Sequence, residues 1–122
     1  IDQVVLSHGH PDHFGGIYAA LQAIGRRIPL VVHPSAFHPR SIRRPDMMIQ
    51  YFNRGLTQRE LEDAGAAVVA VREPLDIAPG ITTSGEIPIT VDFEHEVPAG
   101  RMSIRDGHVH PDPIDDYLTL II

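Results

Sequence analysis

The chain has 122 residues, 43% of them hydrophobic and 21% charged, an ordinary globular balance that excludes disordered and collagen-like classes. Sixteen acidic residues outnumber ten basic ones, all of them arginine, and the net charge of -6 counts against nucleic-acid binding. The absence of cysteine excludes a disulfide framework, a thiolate metal site and a cysteine nucleophile. No apolar run approaches the roughly 20 residues of a membrane span. We therefore expect a cytoplasmic protein that binds neither nucleic acid nor a membrane.

The first part of the chain predicts a strand, a loop, a helix and a second strand. Residues 1–6 are apolar and β-branched, as in a buried strand. Residues 7–16 are rich in His, Gly and Pro, which predicts a loop. Residues 17–24 carry apolar side chains at helical spacing, with Gly25 as the stop. Residues 29–34 predict a short strand that a proline closes.

The middle of the chain predicts one well-marked helix. Prolines and arginines in residues 35–54 indicate irregular structure or short helices. Thr57 and Glu60 fit a capping box, in which each side chain bonds the backbone N–H of the other residue. Gly65 ends this helix, and residues 66–71 then predict a strand.

The last part of the chain predicts short strands separated by turns, with a polar loop at residues 112–116. The predicted strands are residues 74–77, 81–83, 87–93, 102–104 and 117–122. Strands and helices that alternate before a run of short strands predict mixed α/β layers. Because residue 1 is not Met and both ends of the chain are strand-like, we expect a piece truncated at both ends. Residues 1–122 would then be the N-terminal to central part of a single domain.

Four potential metal ligands, His8, His10, Asp12 and His13, lie within six residues of one another. Alternate residues of an extended chain face the same side, so His8 and His10 can bind one ion together. Asp12 and His13 are adjacent and need a turn to converge on a second ion. Two divalent ions close together generate hydroxide from water and hold a leaving oxygen. We therefore predict a two-ion centre in which Asp12 has the catalytic role of orienting the water. The nitrogen and oxygen donors favour zinc, with iron or manganese as alternatives.

The segment SHGHPDHFGG at residues 7–16 resembles the HxHxDH signature of the metallo-β-lactamase superfamily. The resemblance implies an α/β fold of the α+β type, an αββα sandwich with the site at the edge of two packed sheets. It also implies that His8 and His10 bind the first metal ion, while Asp12 and His13 bind the second.

Later segments resemble one branch of that superfamily, the dihydropterin ribofuranosyl-aminobenzene phosphate synthase-like proteins. They are a strand ending in His33-Pro34, PGITTSGEIP at residues 79–88 and DPIDDYLTLII at residues 112–122. The last segment departs from the DDQAL of the branch, with Tyr and Thr in place of Gln and Ala. By the same resemblance, a further His, a bridging Asp and a last His would follow this strand. Residues 1–122 alone would then hold an incomplete site.

The other histidines carry weaker signals. We predict that His33 caps or packs against a neighbouring element, with a place near the pocket as the alternative. His38 and His95 predict surface positions. His108 and His110 repeat the His-x-His spacing, but no Asp-His pair follows in the same pattern, and they predict a polar turn.

The remaining candidates are Glu86 and Asp116, which could line the pocket, and the arginines of the chain. Residues 40–44 predict solvated surface arginines, with a contact to an anionic substrate group as the alternative. Ser7 lacks a nucleophile-elbow sequence, so we do not expect it to be a nucleophile.

These signals favour an enzyme, a metallohydrolase in which a dinuclear-metal-activated water attacks an ester-like or phosphate-containing small molecule. One alternative is a metal-dependent synthase or transferase on a pterin-like phosphate, as the resemblance implies. Another is a non-catalytic metal-binding module. The expected partner is a small-molecule substrate, with a phosphorylated compound among the options, and a homo-oligomer stays open.

Overall fold

The computed structural model describes residues 1–50, 57–95 and 99–122, which form three small sheets. The first sheet has the strand order β1-β2-β5, where β1 is Val4–Val5, β2 is Ile28–Val32 and β5 is Ala66–Ala70. Its strands are parallel, with Val4 opposite Leu30 and Ile28 opposite Ala66. Parallel neighbours need a crossover connection, and helices lie in both connections.

The helices on this sheet form where the sequence places their caps. Helix α1 is Pro11–Phe14, α2 is Ile17–Ile24 and α3 is Gln58–Asp63. The predicted extent of α2 is confirmed: it buries Ile17 and Leu21, one turn apart. The predicted capping box of α3 is also confirmed, because the Glu60 N–H donates to Thr57 Oγ1 and the Thr57 N–H donates to Glu60 Oε2, each at 3.2 Å.

One apolar core joins this sheet to its helices. The buried members are Leu6, Phe14, Ile17, Leu21, Ile28, Leu30, Val32, Ala36, Leu61 and Ala66. Phe14 belongs to α1, so the short helix that carries two of the predicted metal ligands is anchored in the core. The expectation that residues 7–16 are all loop is therefore wrong. Pro11, whose fixed φ suits the first position of a helix, begins a helical turn inside the segment.

The second sheet is antiparallel, with the order β4-β3-β8-β9. Its strands are β3 at Arg40–Arg43, β4 at Met48–Gln50, β8 at Arg101–Arg105 and β9 at His108–Pro111. Irregular structure was predicted for residues 35–54 and is wrong at β3 and β4, while residues 51–54 lie outside the described part. A 3-10 helix does occupy Pro34–Phe37.

The hairpin between β8 and β9 turns on two residues with positive φ, Asp106 at 49° and Gly107 at 78°. This is the backbone of a type I′ turn, the turn that the Asp-Gly pair favours. The sequence predicts turns between the short strands of this part of the chain, and this turn is one of them. The predicted polar turn at His108 and His110 is wrong, because both residues lie on β9 and are exposed.

The third sheet has the order β10-β7-β6, with β6 at Asp76–Ala78, β7 at Ile81–Thr83 and β10 at Leu120–Ile121. Residues 87–93 were predicted as a strand, and that prediction is wrong. Residues 87–90 have no regular secondary structure, and a 3-10 helix begins at Asp92. Pro88 lacks the N–H that a strand donates to its neighbour, and Phe93 is 76% exposed. The apolar run therefore gains neither pairing nor burial.

The predicted fold class, mixed helices and strands in layers, is confirmed. For function, the useful consequence is how the segments meet. The Leu118 N–H donates to the Ser7 carbonyl at 2.8 Å, which places residues 112–118 beside the segment that follows β1. Among the described residues, no helix combines the length and apolar character needed to cross a bilayer.

Candidate metal centre

Three of the four predicted metal ligands converge. One ligand atom each from His8, Asp12 and His13 lies within 4.8 Å of the others. His8 follows β1 and is buried, whereas Asp12 and His13 lie on α1 and are exposed. The turn that begins at Pro11 folds residues 12 and 13 back over His8. Its first hydrogen bonds run from the backbone N–H groups of residues 13 and 14 to the His10 carbonyl, at 2.9 and 3.1 Å.

The rings of His8 and His13 are in contact, with centroids 3.9 Å apart. The Ser7 hydroxyl lies 2.9 Å from His13 Nδ1, so it fixes the orientation of the His13 ring. This contact superficially resembles a nucleophile and its base. The third member of such a triad is absent from the described geometry, because Asp12 Oδ2 lies 3.8 Å from His13 Nε2, too far for a hydrogen bond. In the described geometry, Ser7 therefore supports the ring of His13, one of the predicted ligands.

The electrostatics of the group suit a cation. Burial lowers the pKa of His8 from 6.5 to about 4, and repulsion from His13 and then His10 adds to the effect. His8 is consequently a neutral imidazole at neutral pH, the form with a lone pair available to a metal ion. Two imidazoles and one carboxylate are ordinary zinc ligands. The donor set present in the chain therefore fits a divalent ion.

His10, the fourth predicted ligand, occupies a different environment. Its ring meets the His8 ring edge to face, with centroids 5.0 Å apart. Its Nε2 lies 3.3 Å from Oδ2 of the buried Asp112. Its Nδ1 is buried and has no hydrogen-bond partner among the described residues. The pairing of His8 with His10, and of Asp12 with His13, on two separate ions stays a prediction.

A buried ion-pair cluster supports the segment from behind, and we call Arg40, Asp112 and Asp116 the clasp. Arg40 is 3% exposed, Asp112 1% and Asp116 0%. The Arg40 guanidinium donates from Nε to Asp112 Oδ2 at 2.8 Å and from Nη2 to Asp116 Oδ1 at 2.7 Å. These are short, charge-assisted hydrogen bonds.

The clasp also holds the backbone of Gly9, which lies between the two first histidines. Arg40 Nη1 donates to the Gly9 carbonyl at 2.9 Å, and the Gly9 N–H donates to Asp116 Oδ2 at 2.6 Å. The backbone N–H and the backbone carbonyl of Gly9 therefore both have hydrogen-bond partners inside the protein. Asp116, a candidate for the pocket wall, instead holds the backbone between His8 and His10 in place.

The charge state of Asp112 follows from its neighbours. Burial alone would raise the pKa of Asp112, but the contact with His10 and the charge of Arg40 outweigh it and hold the pKa well below the ordinary range. Asp112 is thus a carboxylate, able only to accept hydrogen bonds.

Two members of the clasp were missed or misplaced by the sequence. Arg40 was expected at the solvated surface, and that expectation is wrong, because a strand places its side chain between two buried carboxylates. Asp112 was read only as part of a polar loop. The repeated aspartates of DPIDD were the available signal, since buried carboxylates require a cationic partner.

A cavity of about 310 Å³ opens beside the predicted ligands. It is lined by His8, His10, Pro11, Asp12, Arg40, Ser41, Ile42, Arg101 and Asp112. Its wall thus combines three predicted ligands with two arginines. A small polar or anionic molecule fits this composition better than an apolar one.

The remaining candidate residues lie outside this wall. His33 is fully buried, and its Nδ1 accepts the Ser35 N–H at 3.2 Å, as expected for a capping and packing residue. Glu86 accepts from Arg72 at 2.7 Å and lies 3.3 Å from His33 Nε2.

Two other histidine predictions have different outcomes. His38 is half-buried rather than fully at the surface. The surface position predicted for His95 concerns a side chain outside the described part of the structure.

Comparison with known proteins gives the family. The model of the metallo-beta-lactamase superfamily matches residues 1–113. The chain belongs to this superfamily. The resemblance found in residues 7–16 is therefore confirmed at the level of the family.

Two known proteins are similar to the chain. A 7,8-dihydropterin-6-methyl-4-(beta-D-ribofuranosyl)-aminobenzene-5'-phosphate synthase from Methanocaldococcus jannaschii is 32% identical over 124 residues, covering 100% of this chain. The resemblance to that branch is thereby confirmed. The crystal structure of Tm1679, a metal-dependent hydrolase of the beta-lactamase superfamily, is similar with a TM-score of 0.68 and 19% identity over 98% of this chain. The chain spans 42% of the synthase and 41% of the Tm1679 chain.

Proposed function

We propose that this chain provides one side of the active site of a metal-dependent hydrolase that acts on an ester-like or phosphate-containing small molecule. The observation that carries the proposal is the convergence of His8, Asp12 and His13 within 4.8 Å, beside a cavity that His8 and Asp12 also line. Such a group of imidazoles and a carboxylate at a cavity wall suits a catalytic rather than a closed structural ion.

The chain supplies the ligands, the orientation of water and part of the substrate wall. His8, His10, Asp12 and His13 would hold two divalent ions, with zinc favoured by the nitrogen and oxygen donors. The ions would supply Lewis-acid chemistry, making water nucleophilic near neutral pH and stabilising negative charge on the substrate. Asp12, 81% exposed, can accept a hydrogen bond from the attacking water and so aim its lone pair at the substrate.

The arginines of the cavity wall have separate tasks. The buried Arg40 guanidinium donates hydrogen bonds to the carboxylates of Asp112 and Asp116. It also donates to the backbone carbonyls of Gly9 and Ala36. Arg101 lines the same cavity and is exposed. It would therefore be the cation that meets an anionic group of the substrate, for which its planar fork is suited.

A second candidate function is synthesis by group transfer on a pterin-like phosphate. The relative from Methanocaldococcus jannaschii, named as a synthase, favours this candidate. The metal-binding residues would be shared, and the acceptor would replace water in the attack. The two functions differ in the fate of solvent oxygen, which gives a direct test.

The first experiment measures metal in the full-length protein. Zinc content and affinity are compared for the wild type, His8→Ala and His108→Ala. The proposal expects bound zinc in the wild type, strong loss in His8→Ala and no loss in His108→Ala, because His108 is an exposed residue of β9. A wild type that binds no zinc, iron or manganese would refute both the hydrolase and the synthase.

The second experiment follows oxygen in the reaction. The zinc-loaded protein is incubated with a panel of phosphate esters and carboxylic esters in heavy-oxygen water, and the products are analysed by mass spectrometry. Hydrolysis places solvent oxygen in the acid product, and Asp12→Asn should abolish this incorporation. Transfer to an organic acceptor without solvent oxygen would favour the synthase. A zinc-loaded protein without turnover on any substrate would favour a non-catalytic metal-binding module.

A further inference from the structure

The two ring nitrogens of His10 face opposite surroundings. Nε2 lies 3.3 Å from the carboxylate of Asp112. Nδ1 is buried and has no hydrogen-bond partner among the described residues. His10 as a whole is only 8% exposed. A buried nitrogen without a partner is costly unless something binds there. This asymmetry indicates that the ring is arranged for a ligand on its Nδ1 side.

Both oxygens of Asp112 are committed as acceptors. Oδ1 accepts the Ile114 N–H at 3.2 Å, and Oδ2 accepts from Arg40 Nε at 2.8 Å in addition to facing His10. A carboxylate in this position repels a lone pair and attracts an N–H group. The favoured neutral tautomer of His10 is therefore the one with its proton on Nε2, which leaves the Nδ1 lone pair free.

We propose that Asp112, held in place by Arg40, is a positioning residue that fixes His10 as a metal ligand through Nδ1. The inference rests on the metal-binding part of the proposed function. A carboxylate behind a ligand imidazole sets its tautomer and orientation and raises the basicity of the nitrogen that binds the ion.

Arg40 links this arrangement to the main chain of the ligand segment. One guanidinium bonds Asp112, Asp116 and the carbonyl of Gly9, which is the residue directly before His10. The backbone and the ring of the ligand are thus held by the same buried cluster. A change in Asp112 should alter the His10 ring without removing the contacts between Arg40, Asp116 and Gly9.

The first test reads the tautomer directly. Nitrogen chemical shifts and long-range nitrogen–proton correlations of the His10 ring are recorded by NMR in metal-free full-length protein at mildly alkaline pH. The expected result is the Nε2–H tautomer in the wild type. An Nδ1–H tautomer there would overturn the proposal, whatever any variant does.

The second test uses Asp112→Asn, which keeps the shape of the side chain but leaves it one acceptor. The amide must either leave the Ile114 N–H without an acceptor or present its NH₂ to His10 and Arg40. Zinc affinity should fall about 10- to 100-fold, the usual cost of losing such a support, and the Nε2–H tautomer should lose its dominance. Circular dichroism and the dispersion of the NMR spectrum establish that the variant is folded.

The matched control is Asp115→Asn, the same substitution three residues away. Asp115 pairs with Arg105 through two hydrogen bonds of 2.6 and 2.8 Å, and these bonds do not involve the ligand segment. It should keep the zinc affinity and the His10 tautomer of the wild type. Equal loss of zinc affinity in both variants would overturn the positioning role, as would an unchanged affinity in Asp112→Asn. In both of those results the wild type still binds zinc, so the proposed function survives. A wild type without zinc binding refutes both.

Discussion

Among single residues, Gly9 occupies a position that has no space for a side chain. A Cβ there would come within 2.8 Å of the Ala36 Cα and closer still to the Ala36 carbonyl and to Arg40 Nη1. We expect Gly9→Ala to lower the free energy of unfolding by about 1–3 kcal/mol, the range for overpacked sites. Zinc affinity should fall as well, because Gly9 separates His8 from His10. Urea unfolding and zinc titration measure the two effects.

Gly16 offers a matched control in the same segment. A Cβ at Gly16 would meet nothing within 4 Å, and its φ of -93° suits any residue. Gly16→Ala should therefore change the free energy of unfolding by no more than about 1 kcal/mol, the scale of an N-cap change. Equal destabilisation by the two substitutions would show that the close approach of Gly9 to Ala36 is unimportant.

Arg40 forms charge-assisted hydrogen bonds with two buried carboxylates. Arg40→Met keeps the apolar stem but removes the cation that is hydrogen-bonded to Asp112 and Asp116. We expect the free energy of unfolding to fall by about 3–5 kcal/mol, as for other buried ion pairs broken from one side. The measurement is again urea unfolding, with Arg26→Met as the comparison.

Arg26 pairs with Asp2 at 2.9 Å at the surface, where Arg26 is 55% and Asp2 99% exposed. Solvent screens such a pair, and Arg26→Met should cost no more than about 1 kcal/mol. If Arg40→Met were as mild as Arg26→Met, the clasp would contribute little to the fold.

At the scale of elements, Arg105 of β8 ties the β8–β9 hairpin to the loop at residues 112–116 through Asp115. Burial alone would raise the pKa of Asp115, but the hydrogen bonds and charge of Arg105 outweigh it and lower the pKa. The folded protein therefore binds this proton less readily than the unfolded chain does. The tie is fully present above the unfolded pKa of Asp, about 3.9, and is lost as the pH falls through the lower folded value.

Comparison of the wild type with Asp115→Asn over a range of pH measures this tie. At neutral pH the wild type should have the larger free energy of unfolding. The difference should shrink below about pH 4, since protonation of Asp115 removes the same ion pair in the wild type. A difference that stays constant from neutral to acid pH would show that the Arg105 pair does not stabilise the fold.

Elements with a local signal were predictable from the sequence. Helix α2 has its apolar spacing and a glycine stop, and Gly25 takes the left-handed conformation with φ 66°. Helix α3 has its capping box. Strands β3 and β9 were missed because arginine and histidine are poor strand signals. Their pairing with β8 supplies the backbone hydrogen bonds that fix them.

The clasp could not be predicted either, because it too depends on contacts between distant parts of the chain. The partners of Arg40 lie 72 and 76 residues further along the chain, so no window around residue 40 contains them. The predicted metal ligands, in contrast, lie within six consecutive residues, and their donor chemistry is visible in the sequence. The candidate ligands could therefore be found from neighbouring residues alone, whereas the residues that support them are brought together only by the tertiary fold.

At the scale of the whole molecule, three distant parts of the chain meet behind one short segment. The segment after β1 carries the predicted ligands, the start of β3 brings Arg40, and residues 112–118 bring two carboxylates and a backbone hydrogen bond to Ser7. Ordering a loop rich in glycine and histidine costs conformational entropy. The clasp makes that ordering part of global folding, so metal binding and stability should be linked.

This link predicts that zinc raises the melting temperature of the full-length protein and that a chelator lowers it. A ligand that binds only the folded state at about 100 times its dissociation constant adds about 2.7 kcal/mol. The increase in melting temperature should disappear in His8→Ala and persist in His108→Ala. Of these two histidines, only His8 belongs to the group that converges with Asp12 and His13. Scanning calorimetry with and without zinc measures it. An identical melting temperature in zinc and in chelator would mean that the imidazoles and the carboxylate converge for a reason other than binding a cation.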